Sequence, residues 1–114
     1  MDLMGQMLRL NQELTNNIAQ LRQQGDAVAR TERDYQSAKS QTWLRMRTEG
    51  VSVTEVKDSI KGHVDVVNKL FARDKARVDY DVTKECINVY KLQLKLIENQ
   101  IAREWGESGR SRMD

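Results

Sequence analysis

The chain has 114 residues, 32% of them charged, 39% apolar and only 5% aromatic, with no proline and a formal net charge of +2. That length limits it to one domain. The composition excludes a thick globular core, yet it is too apolar and too periodic for disorder. The near balance of charge argues against a protein that coats duplex DNA, which shows a clearer basic excess.

The first arm, about residues 3–49, carries Leu3, Met7, Leu10, Leu14, Ile18, Leu21, Gly25, Val28, Glu32, Tyr35, Lys39, Thr42 and Met46 at steps of three and four. That spacing predicts a helix with one apolar stripe, strong to Leu21 and diluted after it. Gly25-Asp26 is its weak point, because glycine can close one helix and aspartate cap the next. A continuous helix with a local bend is the first expectation and a break into two helices the second.

Residues 48–62, TEGVSVTEVKDSIKG, read as punctuation. Gly50 suits the left-handed position that ends a helix. Ser52 with Glu55 forms a capping box, and Val51 with Val56 the hydrophobic staple that accompanies one. A short tip helix is expected over about 53–61, stopping at Gly62, with Asp65 capping the arm that follows.

The second arm, about 66–105, carries two stripes. One runs Val66, Leu70, Arg73, Ala76, Tyr80, Thr83, Ile87, Tyr90, Leu94, Ile97, Ile101, Trp105. The other runs Val67, Phe71, Asp74, Val78, Val82, Cys86, Val89, Leu96. A single partner helix needs only one stripe, so the second predicts a further partner, and a second copy of the chain is the economical one. Val67, Phe71, Val78, Val82, Val89 and Leu96 are the candidate oligomer interface. The fold expected is all-α: a long, coiled-coil-like antiparallel hairpin over 1–106 with a helix at its tip, assembled into an oligomeric bundle. Residues 107–114, ESGRSRMD, have no apolar pattern and are expected to form a disordered, solvated tail.

No catalytic signature is present. The one histidine, His63, sits beside the Gly62 turn with no partner at a recognisable spacing, and reads as a surface loop residue. One His and one Cys cannot assemble a zinc site within a chain, and there is no glycine-rich phosphate loop or nucleophile elbow. Neither enzymatic activity, a metal nor a cofactor is expected. The lone Cys86 excludes an intrachain disulfide and, in its apolar setting, is expected to be a buried inert thiol. No apolar run reaches the roughly 18 residues that span a membrane, and the opening MDLMGQMLRL lacks a basic signal-peptide segment. A soluble cytoplasmic protein is expected.

Two polar features compete as sites. Arg73 and Asp74 interrupt both stripes at one level, either as an ion pair that sets register or as a ligand-facing layer, with Glu32, Arg33 and Asp34 across from them. Arg45, Arg47, Lys57, Lys61, Lys69, Arg73, Lys75 and Arg77 gather near the tip. Glu49, Glu55, Asp58, Asp65, Asp74 and Asp79 are mixed among them, so a solvated, charge-balanced tip is expected ahead of a phosphate-binding patch. Trp43 and Phe71 are expected to seal the end of the core, the alternative being stacking planes for bases. The candidate ligand or partner residues are Arg45, Arg47, Lys57, Lys61, Arg73, Asp74 and Arg77.

The run ERDY at 32–35, Ala38, Leu44, Arg47, EG at 49–50, Val53-Thr54, Asp58, KG at 61–62, RD at 73–74, Ala76, Tyr80, Glu85, IN at 87–88, KL at 91–92, IE at 97–98, QI at 100–101 and REW at 103–105 resembles a family of small helical phage and prophage proteins. The similarity covers about residues 31–105 and departs at Lys39 and Thr42, where such sequences are more apolar. The resemblance implies an accessory phage product made in the host bacterial cytoplasm, often encoded near replication or recombination genes. It supplies no catalytic residues. Taken together, the expected function is that of a homo-oligomeric phage accessory protein. It would dock on or sequester a host component, in the manner of a counter-defence inhibitor, or hold a small anionic ligand such as a signalling nucleotide. The alternative is a single-stranded nucleic-acid-binding accessory of phage replication or recombination. The expected partners are a second copy, a host or phage protein or a small anionic ligand, with nucleic acid as the alternative and no membrane.

Overall fold

The computed structural model describes the backbone of residues 2–113 and the side chains of residues 2–106. The described residues are all-α: helix α1 spans Leu3–Thr48, helix α2 spans Val53–Ser59 and runs into a single 3₁₀ turn at Ile60–Gly62, and helix α3 spans Val64–Met113. Packing divides the chain into two compact units. One is Arg22–Asp81; the other joins the segment up to Leu21 with the segment from Val82 onward.

Asp2 opens α1, its Oδ1 accepting from the Gly5 amide at 2.9 Å, which satisfies one of the amide donors that a helix start leaves unpaired. α1 passes through Gly25 without a break, so the alternative of two helices is not seen and Asp26 caps nothing. A Cβ built on Gly25 comes no closer than 3.6 Å to the Tyr80 ring, an ordinary van der Waals distance. Gly25→Ala should therefore stabilise the protein by up to about 1 kcal/mol, the helix-propensity difference, as measured by chemical denaturation.

The chain reversal is built as the sequence predicts, with two corrections. Gly50 has φ 91°. Its amide bonds to Arg47 O at 3.1 Å, and that of Val51 to Met46 O at 3.0 Å, the paired bonds of a Schellman ending. Gly50→Ala should cost about 1 kcal/mol, because the left-handed backbone opposes a Cβ. Ser52 Oγ accepts from the Glu55 amide at 3.2 Å, and Val51 packs with Val56 in the tip core. The corrections fall at the far side. The last turn before Gly62 is 3₁₀. α3 then begins at Val64 with the His63 carbonyl accepting from Val67 N at 2.8 Å. Asp65 is thus inside the first turn, where its charge favours the helix N-terminus, and it is not the cap.

In the Arg22–Asp81 unit, α1 and α3 run antiparallel. Residue 25 faces 80, 32 meets 73 and 77, and 45 meets 63. The core here is Tyr35, Val56, Ile60 and Val66, with Met46, Val51 and Leu70 packed on it. Val56 and Val66 are fully buried. In the other unit the buried side chains include Leu3, Thr83, Ile87 and Leu94. Within each unit, then, it is the first stripe of α3 that is covered, as far as Ile101; Trp105, the last residue of that stripe, is exposed. Thr42 and Thr83 are buried too, at 3% and 5% exposure. A threonine tolerates this because its hydroxyl can bond a carbonyl of the preceding turn.

α3 continues to Met113, so residues 107–113 are helical backbone where a structureless tail was expected. No proline interrupts them, and Gly106 does not take the left-handed φ that would end the helix. Residue 114 lies outside the described residues. Among the described residues, no helix is long and apolar enough to cross a membrane.

Candidate functional site

The charged layer lies inside the Arg22–Asp81 unit and is satisfied from within. Arg73, its side chain only 18% exposed, reaches Glu32 Oε2 at 3.5 Å and Asp74 Oδ1 at 3.1 Å. Its guanidinium lies 4.6 Å from the centroid of the Tyr35 ring, a cation–π geometry. Arg77 bonds the same Glu32 oxygen at 3.2 Å, while Gln36 Nε2 donates to the other at 3.1 Å. Arg33 and Asp34 pair with each other at 3.7 Å, exposed, and take no part. Arg73, Asp74 and Arg77 therefore form an ion-pair network that reaches Glu32 on α1 through the two arginines.

The hydrogen bond from Gln36, with the Arg73 and Arg77 charges, holds the Glu32 carboxyl below its ordinary value of 4.5 despite opposing desolvation. A carboxylate whose folded pKa is depressed contributes stability that is fully present above its unfolded value and is lost as pH falls through the folded one. Glu32→Gln should accordingly flatten the fall of Tm with acidification below pH 4.5. Thermal melts of both proteins from pH 6 downward check this; parallel curves would contradict it.

Two of the tip arginines are likewise engaged. Arg47 Nη1 donates to the Val51 carbonyl at 2.8 Å, bracing the Schellman turn. Arg45 Nη2 lies 2.7 Å from His63 Nε2. A guanidinium has no acceptor, so Nε2 is the accepting atom of this contact; Nδ1 lies 4.0 Å from Asp65 Oδ2 and is buried without a hydrogen-bond partner. His63 is thus a half-buried structural joint between α1 and the start of α3.

Lys57 and Lys61 are placed differently. With Lys39 they line a groove of about 510 Å³ beside Gln36, Ser40, Trp43 and Ile60. No acidic residue lines it. Trp43 is 39% exposed there, so it does not seal the core as expected. Phe71 does not either, at 71% exposure. The buried residues here are instead Tyr35, Val56, Ile60 and Val66. Lys39 was legible only as a polar interruption of the α1 stripe. Its position over the Tyr35 ring, 5.9 Å from the centroid, brings it to the groove, and nothing in the spacing marks it as a partner of residues on α2.

The second stripe of α3 is open in both units. Between Arg22 and Asp81 it comprises Val67, Phe71 and Val78, with Val64 beside them; from Val82 onward it comprises Val82, Val89 and Leu96, joined by Leu92. Cys86 is exposed, correcting the expectation of a buried thiol: it sits on the stripe that the chain's own helices leave bare. Among the described residues, no group of three or more His, Cys, Asp or Glu is placed to hold a metal ion. No protein-family model, no curated protein and no solved structure matches this chain.

Proposed function

We propose that this chain is a non-catalytic binding protein that assembles with copies of itself through the outer face of α3. One observation carries the reading: α3 covers its first stripe from Val66 to Ile101 and leaves the second, at helical spacing, exposed from Val67 to Leu96. Single exposed apolar side chains are normal on a soluble protein, but an aligned set is the pattern of an interaction surface. A second copy presents the same stripe and satisfies it by helix–helix packing. On the resemblance to small phage proteins, the assembled bundle is an accessory that docks on a host or phage protein in the bacterial cytoplasm. Co-expression of two differently tagged copies tests the assembly: each tag should recover the other chain, and recovery of single-tag protein alone would contradict it.

A further inference from the structure

We propose that the groove between α1 and the tip is a nucleotide-binding site, with phosphate held by Lys39, Lys57 and Lys61 and an aromatic base laid on Trp43. At about 510 Å³ the groove falls in the range of small-ligand sites, roughly 300–1,000 Å³. Three ammonium groups share it with no lining carboxylate. The nearby arginines 45, 47, 73 and 77 are each committed to a partner within the chain. Lys57, on α2, and Lys61, in the 3₁₀ turn that follows it, line the same groove, where like charges repel, and Lys39 adds a third charge from α1. An anion relieves that repulsion, and lysine is suited to phosphate as a point charge. Buried Ile60, at 4% exposure, gives the groove an apolar element, and the partly exposed Trp43 lines it too. A flat ring joined to phosphate uses both features; an anion without a ring leaves the indole uncovered. The site belongs to one chain and stands whether or not chains associate. The same chemistry is offered by a free nucleotide and by a nucleotide within a single strand.

The chain has two tryptophans, so Trp105→Phe, at a position 73% exposed, leaves Trp43 as the only indole reporter. Titrated at low salt, ATP should quench its fluorescence with saturation. Adenosine and inorganic triphosphate should each bind at least tenfold more weakly than ATP, and affinity should fall as salt rises. Lys57→Glu combined with Lys61→Glu, both at exposed positions, should weaken ATP binding at least 100-fold with an unchanged far-UV CD spectrum. An oligothymidylate binding at least tenfold more tightly than ATP would identify the source as single-stranded nucleic acid; weaker or equal binding would identify a free nucleotide. No quenching at millimolar ATP, triphosphate binding as tightly as ATP, or unchanged affinity in the charge-reversed variant would each overturn the proposal.

Discussion

Tyr35→Ala should lower the free energy of unfolding by about 3–5 kcal/mol, the cost of deleting a large buried aromatic side chain, against a total on the order of 5–15 kcal/mol for a domain. The ring is 5% exposed and packs in one cluster with Val56, Ile60 and Val66. It therefore ties α1 to the tip helix and to the start of α3 at once. It also carries the Arg73 guanidinium on its face at 4.6 Å, so its loss frees the cation that links Glu32 to Asp74. Tyr35→Phe keeps both the volume and the ring face and should retain most of the stability. Urea denaturation compares the three proteins. An alanine variant within about 1 kcal/mol of the parent, a surface-sized effect, would show that the tip is anchored elsewhere.

Phe71→Glu combined with Val78→Glu should weaken self-association on the order of 100-fold, equivalent to about 2.7 kcal/mol, while leaving each chain folded. Both side chains are exposed on the single chain, at 71% and 60%, so the fold does not depend on them. At an interface between two stripes, the substitutions place carboxylates where apolar contacts are expected, and a buried unpaired charge opposes association strongly. Dilution series followed by sedimentation velocity would read the change. A variant that unfolds would place these residues in the chain's own core. One that associates like the parent would remove them from the interface.

How much of this was legible in the sequence depends on which interaction decided each feature. Local backbone chemistry was legible: Gly50, Ser52 and the Val51–Val56 staple act over a few residues, and their geometry follows from residue type. The double periodicity of α3 was legible too, because it is a property of one helix. Side-chain partnerships across elements were not. Arg45, Arg47, Lys57 and Lys61 look alike as a basic cluster, and only the packing of α1 against the tip divides them into arginines engaged within the chain and lysines that line a groove. Cys86 was misplaced for a related reason: an apolar stretch on a helix contains both faces, and burial belongs to the face that meets a partner. At Gly25 residue type left both a continuous helix and a break open, and α1 is continuous there. The continuation of α3 past Gly106 shows the opposite error, since loss of apolar pattern removes a reason for packing without removing the backbone's ability to stay helical.

The mass of the intact protein in solution tests the self-assembly most directly. Light scattering coupled to size-exclusion chromatography at micromolar concentration should return an integral multiple, two or greater, of the 13.2 kDa chain mass. A single species at 13.2 kDa across that range would contradict it, and would leave the outer stripe of α3 to a partner other than a second copy.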